Sequence, residues 1–306
     1  MVTYLIQRLA QALLVVWLVR VITFGLLYLL PADPARLVAG RSATAEAVER
    51  VRNELGLDRP AIERYLRYLG GLVRGDLGRS YQQRTEVRDL LASRAIPTLV
   101  LTLAGVLCEL LIGLPAGILA ALRRGSILDQ AVMLLAFTGA AAPQFVLGLL
   151  LLYAFAYRWP ILPLGGYGGL EHLLLPALAL GLAGGGWYAR GMRSSLLEVL
   201  SQDYIRTARA KGLTQRVILY RHALRNAALP VIAMVSSDLG VFMGGVVVVE
   251  SVFGWPGIGQ LTWQAIQLVD IPVILGAVTF TAVFIVLANL LADLAYPLLD
   301  PRVQYR

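Results

Sequence analysis

Apolar stretches alternate with polar ones along this chain of 306 residues. Six of them are long, near Leu9–Leu30, Pro97–Leu122, Leu128–Tyr157, Leu173–Met192, Pro230–Val252 and Pro272–Tyr296. A helix that crosses a bilayer takes roughly 20 apolar residues, so each stretch predicts one span. The third is over-long and holds Pro143, which predicts a kink or tilt there. The fourth carries Gly181, Gly184, Gly185 and Gly186. Small residues of this kind let helices approach closely, and close packing is the plain reading of them. Residues 31–96 differ: polar and apolar positions there follow a helical period. Thr44 is placed to cap a helix with Val48, Val51 and Leu55 on one face and Gly56 just past its end. A second helix starts at Pro60 with Ile62, Tyr65, Leu66, Leu69 and Val73 on one face. A third runs from Thr85 through Val87, Leu90 and Leu91. The pattern predicts an all-α, polytopic membrane protein of six transmembrane helices with a helical extracytoplasmic cap. It divides as one domain over 1–306, with the cap at 31–96, a core at 97–296 and a polar loop at 201–229.

Composition agrees with that class. Only 15% of residues are charged, where a soluble domain carries about a quarter. The formal charge of +8 comes almost wholly from arginine, and Lys211 is the sole lysine. In a membrane protein such charge sets loop placement and favours membrane lipid, not nucleic acid, as partner. Arg123 and Arg124 follow the second stretch, and Arg302 and Arg306 end the chain. Arg190, Arg193, Arg206, Arg209, Lys211, Arg216, Arg221 and Arg225 lie between the fourth and fifth. The other side has Arg158 in a short loop and no Lys or Arg from Val252 to Ile271. The positive-inside rule then places both termini in the cytoplasm and the cap outside. The first apolar stretch is longer than a signal-peptide core and reads as a retained span. Cys108 is the only cysteine, which excludes an intrachain disulfide. His172 and His222 are the only histidines, so a multi-histidine metal site is not expected.

The polar loop holds the most structured signal. From Arg190 to Leu229 there are eight basic and two acidic side chains. Asp203 suits a helix N-terminus, Gly212 the position past its end, and Thr214 the cap of a second helix with Val217, Tyr220, Leu224 and Ala228 on one stripe. The product is helix, tight turn, helix on the cytoplasmic face. It serves either as a topology anchor or as a docking element for another protein.

Arg206-Thr207-Ala208-Arg209-Ala210-Lys211-Gly212, followed by Leu229-Pro230, resembles the EAA loop of ABC-importer permeases, most closely in the dipeptide/oligopeptide/nickel branch. The likeness runs over nearly the whole chain. Pro31-Ala32-Asp33-Pro34, Leu55-Gly56-Leu57-Asp58-Arg59-Pro60 and Gly75-Asp76-Leu77-Gly78-Arg79-Ser80-Tyr81 resemble that branch's outer motifs. Phe253-Gly254-Trp255-Pro256-Gly257-Ile258-Gly259 and Asp300-Pro301-Arg302 resemble its later ones. The glutamate that names the loop is replaced by Arg206, so its salt bridge to the ATPase does not carry over. The resemblance implies a bacterial or archaeal inner-membrane subunit, the first of two non-identical permeases, working with two cytoplasmic ATPases and an extracytoplasmic solute-binding protein. ATP and Mg would belong to the ATPases, with no cofactor in this chain. Arg206, Arg209 and Lys211 would present charge to the ATPase, while Thr207, Ala208 and Ala210 give the close-contact surface. The implied cargo is a di- or oligopeptide, with nickel, a nickel chelate or glutathione as alternatives.

A membrane enzyme and a secondary transporter are the competing classes. Lys211 follows alanine, so the chain has no Walker lysine, and HExxH, GxSxG and CxxC are absent. Ionisable groups inside spans are functional candidates by default. Arg20 and Glu109 fall at similar depth in the first two spans and are expected to pair, chiefly as a packing device. Asp238 lies in the fifth span, either facing the translocation path or bonding a neighbouring helix. Asp293 sits near the inner end of the sixth, beside Asn289. Phe253, Trp255 and Pro256 belong to a glycine-rich, non-helical stretch at the outer edge, where Trp255 and Trp263 suit the interfacial belt. The family likeness implies that this stretch helps to form the outer gate or meets a binding protein.

Overall fold

The computed structural model describes residues 2–29, 33–40, 42–244 and 246–299. Pro31, Ala32, Asp300, Pro301, Arg302 and Arg306 lie outside the described residues, as do the side chains of Val73 and Asp293. The described chain is helical throughout apart from loops and one isolated bridge, Arg79 to Glu86. α1 (Val2–Leu29) leads into three short helices over the segment expected to form the cap, α2 (Pro34–Ala39), α3 (Ala45–Glu54) and α4 (Ala61–Val73). Then come α5 (Val87–Leu122), α6 (Ile127–Ala141) and α7 (Gln144–Leu152), which runs on as a π-helical turn over Tyr153–Arg158. α8 (Leu170–Leu200) is followed by α9 (Asp203–Ala210), α10 (Gln215–Val217), a second π turn over Ile218–Ala223 and α11 (Leu224–Ala227). α12 (Leu229–Met243), α13 (Val247–Val252), α14 (Ile258–Gln267) and α15 (Ile271–Leu299) complete the order.

Both α5 and α15 are long and apolar enough to cross a bilayer alone. The bent pairs Ile127–Ala141 with Gln144–Arg158, and Gln215–Ala227 with Leu229–Met243, supply two more if each counts as one span. The first pair turns by 99° at the predicted proline. Ala142 before Pro143 is extended, ψ 128°, because the proline ring disfavours helical backbone in the residue before it. The expected continuous fifth span is broken between Met243 and Val247. Gly244 ends α12 there, and a methyl on it would come 2.6 Å from Thr281 of α15.

The core is built on α5 and α8, which pack along each other. Glycines set how close they come. A methyl on Gly113 would lie 2.5 Å from the Gly185 carbonyl oxygen, and one on Gly181 2.6 Å from Cys108 Cβ. A methyl on Gly186 would meet the backbone of Ala136, so α8 presses on α6 by the same device. Close packing thus accounts for the glycines of the fourth stretch. α15 packs against α12 and α1.

The cap keeps part of its expected plan. Thr44 caps α3 by accepting from Ala47 N at 3.3 Å, and α4 begins directly after Pro60. Past α3, Gly56 N donates to Asn53 O and Leu57 N to Arg52 O, with Gly56 at φ +63°, a Schellman stop. The third cap helix is not separate. α5 begins at Val87 and runs through Pro97, because Val87 and Leu91 are buried against Ile258, Val273 and Ala277. Tertiary packing thus joins the expected third helix and the second span into one element. The true third cap helix is α2, started by Asp33, which accepts from Ala35 N at 3.1 Å. On α4 the inward face carries Tyr65, Tyr68 and Leu69, while Ile62 and Leu66 are exposed.

Candidate functional site

The polar loop folds as helix, turn, helix. Gln202 precedes α9 with extended backbone, and Asp203 opens it with an exposed 3.3 Å ion pair to Arg206. The stop is a complete Schellman motif: Gly212 N bonds Arg209 O at 2.9 Å and Leu213 N bonds Ala208 O at 3.3 Å. Gly212 has φ +76°, a conformation that costs a side-chain-bearing residue but not glycine. Arg206, Thr207, Arg209, Ala210, Lys211 and Gly212 are exposed. Ala208 is not: it is 6% exposed and lies inward with Ile205, three residues earlier on the same face. It therefore cannot belong to a docking surface in this conformation. Ile205 and Ala208 pack with Met192 and Leu196 of α8 and with Ile218, Ala223, Ala227 and Val231.

That list also corrects the expected second stripe. Val217 and Tyr220 are exposed, while Ile218, Ala223 and Ala227 are buried. The π turn over Ile218–Ala223 adds a residue per turn and rotates the face away from the 3.6-residue period. Thr214 stands at the cap position but makes no side-chain cap bond.

The outer stretch after α13 is locked by a carboxylate that the sequence hid. Glu250 is 0% exposed. It accepts from Thr98 Oγ1 at 3.0 Å and from Gln260 N at 2.7 Å, and Thr98 in turn accepts from Ile258 N at 2.8 Å. The carboxyl thus sits at the N-terminus of α14, where backbone N–H groups lack helical partners. A methyl on Gly257 would collide with the Glu250 carboxylate, which explains one glycine of the motif. Trp255 is buried, donates from Nε1 to Pro97 O at 3.0 Å and meets Tyr167 edge-on at 4.9 Å. It is a core residue and not part of an interfacial belt; Trp263 is exposed and fits one. Phe253 is likewise buried, and its carbonyl accepts from Gly166 N at 2.8 Å. Pro256 is half-buried. In this conformation Phe253 and Trp255 pack into the chain's own core, not into a lumen.

Asp270 is a second hidden anchor. It takes Ser80 Oγ at 2.5 Å, Tyr81 N at 3.0 Å and Gln82 N at 3.2 Å, which fastens the loop before α5 to the turn before α15. Burial pushes the Tyr81 phenol up from its ordinary pKa, against the pull of neighbouring Arg64.

The intramembrane groups fall apart from the expected pairing. Arg20 lies 5.9 Å from the Tyr68 ring of the cap, and no ion pair joins it to Glu109 among the described residues. The reason is helix packing: α1 lies on α15, while α5 lies on α8. Glu109 is 2% exposed and presses on Gly184, and its Oε2 has no hydrogen-bond partner. Asp238 is half-buried and accepts from Tyr188 Oη on α8 at 2.6 Å, the neighbour-helix bond that was one of its two readings. On the side that carries α9, Arg193 makes a two-pronged pair with Asp129, 2.7 and 2.8 Å, which sequence reading also missed.

Known proteins share this chain from end to end. Residues 113–305 match the family profile described as "Binding-protein-dependent transport system inner membrane component". Residues 1–102 match its companion, "Binding-prot-dependent transport system membrane comp, N-term". The chain is similar to the "Glutathione transport system permease protein GsiC" of Escherichia coli O6:H1, at 40% identity over 306 residues and 100% of both chains. The protein of the same name from Escherichia coli K12 is 39% identical over the same coverage. Among solved structures, "Inward facing conformations of the MetNI methionine ABC transporter" superposes with a TM-score of 0.55 and 21% identity, covering 69% of this chain and 96% of that one. That likeness concerns the fold. Taken with the Schellman-stopped α9 and the clamped segment before α14, these matches place the chain in the family of binding-protein-dependent inner-membrane permeases of ABC importers, transport subunits whose ATP hydrolysis resides on separate subunits.

Proposed function

We propose that this chain is one of two permease subunits of an ATP-driven importer for peptide-like solutes, with glutathione first among them and other di- and oligopeptides next. The observation that carries the solute class is the full-length, 40% identity to a permease named for glutathione transport. The proposed complex adds a second related permease, two cytoplasmic ATPases that hold ATP and Mg, and an extracytoplasmic binding protein. Six spans, both termini in the cytoplasm and the cap outside complete the proposed topology, supported by the arginine asymmetry of the short loops. α9 docks on an ATPase through exposed Arg206, Thr207, Arg209, Ala210 and Lys211, while Ile205 and Ala208 fix it to the permease. Asp238 and Pro256 are the proposed path and gate residues. The test is reconstitution of the complex in vesicles loaded with ATP. Labelled glutathione should accumulate only with ATP, the ATPases and the binding protein present. Uptake driven by a proton gradient without ATP would replace this reading with a secondary transporter, and uptake of a dipeptide but not glutathione would reverse the order of solutes.

A further inference from the structure

The Arg193–Asp129 pair ties α8 to the start of α6 on the side that carries α9. Asp129 lies in the first turn of α6, and its Oδ2 also accepts from Gly125 N at 2.9 Å, in the turn after α5. Arg190 sits three residues earlier on α8, about 4.5 Å along the axis by the helical rise.

Arg190 has a different environment from Arg193. Its guanidinium lies 4.8 Å from the Phe137 ring and 5.3 Å from the Trp187 ring, so aromatic faces hold it. Stacking leaves the donor edge unused. Arg190 Nε is buried without a hydrogen-bond partner, and no carboxylate pairs with Arg190 among the described residues. Beside it opens a cavity of about 330 Å³ lined by Asp129, Gln130, Met133, Phe137, Arg190 and Arg193. Two guanidiniums and one carboxylate leave one positive charge there, with Asp129 already saturated by Arg193. A planar fork of N–H donors matches two oxygens of a phosphate. The surrounding surface is apolar and faces outward: Leu135 is 72% and Trp187 57% exposed.

We infer that this cavity is a binding site for the phosphate of an anionic phospholipid, with Arg190 as its ligand and Phe137 and Trp187 as walls. A soluble anion would have no use for the apolar flanks, whereas an acyl chain covers them. The site does not depend on which solute is carried.

The test is native mass spectrometry of the purified importer titrated with phosphatidylglycerol and, separately, phosphatidylcholine. The wild-type complex should retain phosphatidylglycerol more tightly than phosphatidylcholine. Arg190→Gln should weaken phosphatidylglycerol retention about tenfold or more, the scale of one lost charge-assisted contact. Arg216→Gln, exposed on α10, should leave it unchanged. If Arg190→Gln does not assemble, Trp187→Leu gives the second reading, a smaller loss on an exposed face. Unchanged retention in both variants overturns the site. So does a raised KM for solute uptake with retention intact, which makes the cavity a solute site, or disulfide cross-linking of Arg190→Cys to the second permease, which makes the face a subunit contact.

Discussion

Adding one methyl group to α5 should loosen the core, against the usual expectation for a glycine inside a helix. In Gly113→Ala the new carbon would lie 2.5 Å from Gly185 O, 2.5 Å from Tyr188 Cβ and 3.1 Å from Ala189 N. Non-bonded heavy atoms are at ease near about 3.5 Å or more, so α8 must retreat by roughly 1 Å. Two of the three obstacles are backbone atoms, which no rotamer change can move. Overpacking of this kind costs about 1–3 kcal/mol. Against it stands the helix-propensity gain of alanine over glycine, about 0.5–1 kcal/mol. The cost exceeds the gain, and the net effect is a loss of up to about 2 kcal/mol. Gly25→Ala on α1 supplies the control, because Gly25 is exposed with nothing within 4 Å of an added carbon. Thermal melting of the detergent-purified importer should show Gly113→Ala below wild type and Gly25→Ala at or above it. If Gly113→Ala melts with Gly25→Ala or higher, then glycine does not set the α5–α8 distance and the account of the core is wrong.

Glu250→Gln should lower the melting temperature as well, since the amide keeps one acceptor oxygen where the carboxyl offers two to Thr98 and the α14 backbone; a lost hydrogen bond costs about 0.5–1.5 kcal/mol. An unchanged melt would show that the carboxylate clamp is not needed. Asp270→Asn should free the loop it holds, so trypsin should cut at Arg79 or Arg84 several-fold faster than in wild type, and equal cutting rates would refute the anchor. Gly212→Val forces a β-branched residue into φ > 0, a cost of about 1–2 kcal/mol. Membrane insertion should persist while uptake falls and ATP hydrolysis continues; loss of insertion instead would return the loop to a topology anchor.

Local chemistry was legible in the sequence and distant chemistry was not. Thr44, Gly56, Pro60, Pro143 and Gly212 each act on their own backbone within a few residues, so their roles follow from position alone. Glu250 and Asp270 carry no such local signal, because their partners Thr98 and Ser80 lie far back in the chain. Periodicity tells which face of a helix is apolar but not which helix covers it. That is why Arg20 and Glu109, matched in depth, were expected to meet, although their helices pack on different neighbours. It is also why Ala208 was assigned to the docking surface: its apolar character fits a partner's surface and the chain's own core equally well. The π turn over Ile218–Ala223 defeated periodicity more directly, by changing the period itself.

The same contacts indicate how a push on α9 would travel under the proposed coupling. Ile205 and Ala208 share one packed cluster with the inner end of α8, with Ala223 and Ala227, and with Val231 at the start of α12. A displacement of α9 therefore reaches α8 and α12 together. α5 must follow α8, because glycine-to-backbone contacts leave no slack between them. In its first third α5 is clamped through Thr98 and Pro97 to Glu250 of α13 and to Trp255 just beyond it. Motion that enters at α9 is thus delivered, along α5 and α8 as one stiff unit, to the segment before α14 at the opposite face. The compliant point is the bend at Pro143, where no continuous helix resists bending. Under the proposed coupling this layout would shift the segment before α14 by moving a rigid pair of helices, and it requires no flexibility in α9 itself, whose Schellman stop at Gly212 keeps it a fixed lever.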